Sequence, residues 1–173
     1  MPFIKLLKSD KKLLCAVILG FIFIFSFICF LADFKGRRYY FTFEEAGSAR
    51  KIVEVRKIPS EKYRTKLECY VEELILGPSV QRAVPVFPVG TKVLFCHENN
   101  RIVYINISEE AVTGLTAVDV EKEDEYKKKY GKTVLQVRYE QLRENIKKNF
   151  SDVKEVNLFI DGNFTFGEEI PRS

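Results

Sequence analysis

Histidine, tryptophan and methionine are nearly absent from this chain of 173 residues, which holds one His, no Trp and one Met. A single histidine, His97, cannot build a multi-histidine metal site, and no Ser or Cys nucleophile with an orienting acid accompanies it. Beside Glu98 on a polar stretch it reads as a surface residue. No G-x-S-x-G, H-E-x-x-H, P-loop or G-x-G-x-x-G motif occurs, so catalysis, a cofactor and a metal all lack sequence support. Nine Gly and six Pro exclude collagen-like and low-complexity chains. Net charge is also scarce where a nucleic-acid domain would need it. Lys5, Lys8, Lys11 and Lys12 against Asp10 give the first 32 residues +3 of the total +4, leaving +1 for everything after them. Phosphate neutralisation demands a concentrated basic surface, so nucleic acid is excluded as a partner.

Charge is wholly missing from residues 13–32, LLCAVILGFIFIFSFICFLA. Twenty apolar residues at about 1.5 Å each match the roughly 30 Å hydrocarbon core, which predicts a transmembrane helix. The run is too long for a signal-peptide core, and no small-x-small cleavage site follows it. Cys15 follows Leu14 and Cys29 follows Ile28, which disfavours a lipoprotein leader. Four lysines precede the run and Lys35, Arg37 and Arg38 follow it. The positive-inside bias places residues 1–12 in the cytoplasm and the C-terminal part outside.

Beyond a juxtamembrane linker over 33–38, the pattern predicts one domain over 39–167 and a tail over 168–173. Tyr39, Phe41 and Phe43 at period two mark a strand, and Ile52, Val53 and Val55 continue it. Ser60 is the expected N-cap of an amphipathic helix carrying Tyr63, Leu67, Tyr70, Val71 and Leu74, ended by Gly77-Pro78. Thr91 to His97 and Arg101 to Ile107 flank Asn99-Asn100, a hairpin signal. Apolar residues on both faces of its arms suit a central pair. Glu123/Lys127 and its neighbours form acid-to-base pairs at i,i+4 in a solvated helical turn. A second helix runs from Thr133 to Phe150, followed by a strand, Val153 to Ile160, and an Asp161-Gly162 turn. The order strand, helix, strand, strand, helix, strand predicts an α+β domain, of βαββαβ type, with two helices on one face of a mixed sheet.

Two of the four cysteines lie in the apolar run, so Cys69 and Cys96 are the one pair that could bridge outside it. Helical spacing puts Cys69 near the polar face of its helix, which favours two thiols over a disulfide. Asn106-Ile107-Ser108, Asn149-Phe150-Ser151 and Asn163-Phe164-Thr165 match the glycosylation pattern, but turn and capping chemistry explains such triplets.

Leu76-Gly77-Pro78-Ser79, then PVFPVGTKVLF over 85–95, then Val103 to Glu110, and finally VKEVNLFIDG over 153–162 together resemble the GerM domain of bacterial sporulation and spore-germination proteins. The resemblance covers about residues 39 to 166 and rests on structural motifs, a helix-ending Gly-Pro, alternating strands and an Asp-Gly turn. It implies a ring-building-motif-like, non-enzymatic domain displayed outside the bacterial cytoplasmic membrane, here as a single-domain, membrane-anchored member. The expected partners are the membrane itself and an envelope protein or a second copy of the chain. Val84, Val86 and Phe87, an apolar stretch between prolines, are the candidate contact surface. The alternative is a module that binds cell-wall peptidoglycan, with Tyr39, Tyr40 or Tyr104 lining a groove, or an accessory factor of a cell-wall enzyme.

Overall fold

The computed structural model describes residues 11–33, 37–48, 50–58, 64–115, 119, 123, 124, 126–128 and 131–167. The chain divides into two compact units, residues 1–37 and 38–173.

The first unit contributes α1, Lys11–Asp33, a helix of 23 residues. The segment expected to span a membrane is therefore helical, and its described side chains are exposed except for half-buried Val17. No helix among the described residues is long and apolar enough to cross a membrane.

The second unit begins with a long hairpin, β1 (Arg38–Glu45) and β2 (Lys51–Lys57), paired from Arg38↔Lys57 to Glu44↔Lys51. The period-two aromatics behave as their spacing predicts: Tyr39, Phe41 and Phe43 are all buried. Helix α2 is Lys66–Leu76, shorter than expected, and its N-cap is Thr65 rather than Ser60. The reason is local. Thr65 and Glu68 close a reciprocal capping box, each side chain bonding the other's backbone N–H, which Ser60 and Glu61 cannot do at their spacing. Ser60 and Tyr63 lie outside the described residues. Gly77, at φ 99°, ends the helix, and a Cβ there would stand 3.2 Å from the Pro85 Cβ. A two-residue strand, β3 (Ala83–Val84), then pairs with the end of β1.

The second sheet has the order β4 (Val93–Asn99), β5 (Ile102–Ile107), β6 (Glu155–Ile160), β7 (Asn163–Phe166). Asn100 and Arg101 both have positive φ, 51° and 69°, which makes the β4–β5 connection a type I′ hairpin turn. Asp161 and Gly162, at 48° and 81°, repeat it between β6 and β7. The short helix α3 (Glu110–Thr113) follows β5. Helix α4 (Val134–Asn149), capped by Thr133 with Gln136, carries the chain back so that β6 lies parallel to β5. Val103, Ile105, Val156 and Leu158 are fully buried with Val71 and Leu74 of α2 and Leu142 and Ile146 of α4 in one core.

A single sheet was expected, and there are two. The physical reason is what lies beside β1. Past the Glu44↔Val84 pair, the edge of β1 away from β2 faces α4 instead of a strand. Two asparagines one helical turn apart stand in for that strand. The Thr42 N–H donates to Asn145 Oδ1 at 2.7 Å while Asn145 Nδ2 donates to the Thr42 carbonyl at 2.9 Å. Asn149 does the same for Tyr40, at 2.8 and 2.7 Å. The Tyr70 hydroxyl, from α2, donates to the Tyr40 carbonyl at 3.0 Å and accepts from Asn149 at 2.9 Å. Burial pushes that phenol well above its ordinary range. Asn149 and Asn106, two of the glycosylation-like asparagines, are thus occupied in backbone pairing, Asn106 by accepting from the Gly162 N–H.

β2 hides a second polar device. Glu54, buried and opposite Phe41, accepts from the Ser79 N–H and hydroxyl, the Val80 N–H and the Arg56 guanidinium. Arg56 in turn donates to the Gly77 carbonyl at 2.8 Å and lies over the Phe41 ring, 4.9 Å from its centre. The pair rivets the turn after α2 onto the hairpin. Burial raises the Glu54 carboxyl, and the four donors outweigh it, holding the group below its ordinary value.

Two outcomes follow from these contacts. Asn145→Leu strands the half-buried Thr42 N–H and removes the nearer donor to its carbonyl, and with about 1–3 kcal/mol for an unmet group, urea unfolding of the chain in detergent should show a loss of about 2 kcal/mol. Asn145→Asp should be no better, because a carboxylate sets oxygen against the Thr42 and Gln141 carbonyls that Nδ2 now serves. Glu54 is depressed in the folded state, so its contribution is present above its unfolded value near 4.5 and fades as pH falls through the folded value. Melting temperatures measured from neutral pH down to pH 3 should fall less steeply for Glu54→Gln, from a lower start at neutral pH. Parallel curves would show that Glu54 contributes nothing to acid sensitivity.

Candidate functional site

The proline-flanked stretch expected to meet a partner is not on the surface. Val86 and Phe87 are fully buried, and Val84 is half-buried in β3 opposite Glu44. Arg138 of α4 donates to the Val86 carbonyl at 3.3 Å and pairs with Asp119 at 2.5 Å, which pins the segment inward. Adjacent apolar residues between two prolines therefore plug the core here. The three tyrosines considered for a cell-wall groove do not converge either. Tyr39 is buried against Tyr70 and Phe150, Tyr40 lies exposed on the hairpin, and Tyr104 belongs to the other sheet.

The remaining candidate chemistry is equally dispersed. His97 is exposed on β4, its ring 6.0 Å from Phe95. Cys69, expected near the polar face of α2, is buried, as is Cys96, and both are thiols. Burial, reinforced by Glu68 and Glu72, pushes the Cys96 thiol up to about 12, where it is no nucleophile at neutral pH. Among the described residues no group of three or more His, Cys, Asp or Glu could hold a metal ion. Every lone pair of Glu54 that could serve as a base is directed at a structural donor.

What the fold does assemble is an aromatic row. On β5 the odd positions Val103, Ile105 and Ile107 face the core, so Ile102, Tyr104 and Asn106 face outward. Register then places Phe95 of β4, Asn106 of β5, Phe159 of β6 and Phe164 of β7 in one line across the outward face. Strands about 4.8 Å apart make that line roughly 14 Å long. Phe95 is 54% exposed and Phe164 is 43% exposed, the latter meeting Phe159 edge to face at 5.5 Å. The neighbouring row holds His97, Tyr104 and Asn157. Asn157 is buried because Gly167 crosses it, so closely that a Cβ at that position would fall 1.9 Å from Oδ1.

β4 is an edge strand, whereas two-sided apolar arms suggested a central pair. A register shift between Val93 and Phe95 leaves Leu94 as an extra, exposed residue on that edge. The alternation that pointed to burial on both faces was the signal of this surface. One face is core, and the other carries the exposed aromatic row.

Residues 38–165 match the family described as Germane, sporulation and spore germination. The tandem GerMN domains of the sporulation protein GerM from Bacillus subtilis match at 14% identity with a TM-score of 0.53, over 76% of this chain and 41% of that one. The first GerMN domain of the same protein matches at 13% identity with a TM-score of 0.51, over 78% of this chain and 89% of that one. A Clostridium perfringens chain named as a lipoprotein matches at 20% identity with a TM-score of 0.42, over 73% and 74%. These likenesses are of fold. No curated protein matches the chain.

Proposed function

The chain belongs to the Germane family of sporulation and spore germination domains, and on that premise we propose a non-enzymatic, membrane-anchored protein of the bacterial cell envelope that assembles with another protein. The observation that carries this reading is the outward row Phe95, Phe159 and Phe164. Large aromatics on an open sheet face supply binding area at low entropic cost, and they are enriched where proteins meet. Buried Glu54, Tyr70 and Arg138, by contrast, are bonded to groups that hold the fold. The anchor reading is supported by sequence, from the uncharged run over 13–32 with lysines ahead of it. With the N-terminus inside, the domain from β1 onward stands outside the cytoplasmic membrane.

Phe95→Ser and Phe164→Ser test the reading, since both sites are exposed and truncation there should cost the fold little. Chemical cross-linking of the tagged full-length protein in its native membranes, followed by mass spectrometry, should yield a discrete partner or a self-ladder. Both substitutions should abolish that species while leaving the melting temperature within a few degrees. A cross-linked species indifferent to both changes, or recovery of cell-wall fragments alone, would overturn the assignment of this face.

A further inference from the structure

The hairpin that opens the domain has its own outward face, and its charge is graded along its length. Register sets four pairs on that face, Arg38 with Lys57, Tyr40 with Val55, Thr42 with Val53, and Glu44 with Lys51. Tyr40 is 48% exposed, Val55 52% and Val53 49%, an unusual run of apolar surface for a strand pair on the outside of a domain. Lys148 of α4 reaches over it, donating to the Thr42 hydroxyl at 3.3 Å with its ammonium 5.9 Å from the Tyr40 ring centre. At the far end Glu44 stands beside the Lys51–Glu144 ion pair. The near end, where the chain enters β1, has Arg37, Arg38 and Lys57, all exposed. Three cations therefore stand at one end of the apolar strip, while at the other Lys51 lies between Glu44 and Glu144 of α4.

The basic end is the end attached to α1. Only residues 34–37 separate Asp33 from Arg38, a tether that extended backbone stretches to no more than about 18 Å. An aromatic residue and a valine framed by basic side chains match the interfacial layer of a bilayer, where Tyr is enriched and anionic headgroups attract Lys and Arg.

We propose that this end of the hairpin is a lipid-contact surface, with Arg38, Lys57 and Lys148 over anionic headgroups and Tyr40 and Val55 entering the interfacial layer of the membrane that holds α1. The inference rests on the anchor reading above and adds what the anchor does not require, a defined side of the domain turned to the bilayer. The graded charge supplies the direction. An anionic surface attracts the Arg38–Lys57 end more strongly than the far end, where Lys51 offsets the acids, so the hairpin meets the membrane at its open end.

The chain has no tryptophan, so single-tryptophan variants report position directly. Full-length Val55→Trp, Phe23→Trp and Val89→Trp would be reconstituted into vesicles of phosphatidylcholine alone or of equal parts phosphatidylcholine and phosphatidylglycerol, with and without brominated acyl chains. Phe23→Trp reads the anchor and should lose most of its emission to brominated lipid in both compositions. Val55→Trp should shift to the blue and be quenched in the anionic vesicles, weakly in the neutral ones. The quenching should disappear in 1 M NaCl, where screening shortens to about 3 Å, and in the double variant Arg38→Glu, Lys57→Glu. Val89→Trp, in an exposed loop outside the hairpin, should keep the emission of a solvated indole. Quenching of Phe23→Trp with none at Val55→Trp would overturn the lipid surface and leave the anchor standing. The reverse pattern would remove the anchor and keep the surface. Equal quenching at Val55→Trp and Val89→Trp, insensitive to salt, would mean indiscriminate adsorption and would also overturn it.

Discussion

Everything in the arrangement of this domain depends on how the second edge of β1 is satisfied. A strand interior to a protein must pair its N–H and C=O groups on both sides, and β1 has a full-length partner on one side only. Asn145 and Asn149 complete the other side by presenting a carboxamide, which is a peptide group in all but connectivity, at the four-residue spacing of one helical face. A helix thereby pairs with a strand. The sheet ends there, and the remaining strands form a second sheet across the helices.

That substitution explains why the core aromatics are so closely arranged. Tyr70 must reach the Tyr40 carbonyl with its hydroxyl while its ring lies 4.7 Å from Phe41, and Phe150, at the end of α4, closes on both Tyr39 and Tyr70. The polar end of the tyrosine serves the strand edge, and its apolar body serves the core. Glu54 and Arg56 tie the Gly77 to Val80 turn to the other side of the hairpin, Glu54 accepting from the Ser79 and Val80 N–H groups and Arg56 donating to the Gly77 carbonyl. Removing either partner leaves a buried charge, so the two residues hold their place as a unit.

The sequence was legible where a local rule decides the outcome. Alternation located β1 and β5, an Asp-Gly pair located the β6–β7 turn, and helical spacing located α2 and α4. It misled where a residue's role comes from a partner distant in sequence. Nothing near Asn145 says that its amide will serve Thr42, more than one hundred positions earlier. Nothing in the sequence singles out Glu54 and Arg56, because their partners lie in the turn after α2. Val86 and Phe87 looked like an exposed apolar loop, because the guanidinium that draws the Val86 carbonyl inward belongs to α4. The surface row was hidden differently. Phe95, Phe159 and Phe164 are scattered in sequence and become one line only when the register of three strand pairs is known.

The division of labour between polar and apolar groups follows from the same geometry. In most enzymes a few polar side chains are held unsatisfied in a cleft, ready to act on a substrate. Here buried Glu54, Thr91, Ser108, Arg138 and Asn145 all bond backbone groups, and Glu54 and Arg138 also pair with Arg56 and Asp119. The apolar surface the fold leaves open is the aromatic row of the second sheet and the Tyr40–Val55 strip of the hairpin. Exposed apolar surface gains free energy by being covered, and it does so without a reaction. Those two patches are the surfaces that the proposed assembly and membrane contact would cover. The two patches, one uncharged and one rimmed by cations, favour different kinds of surface.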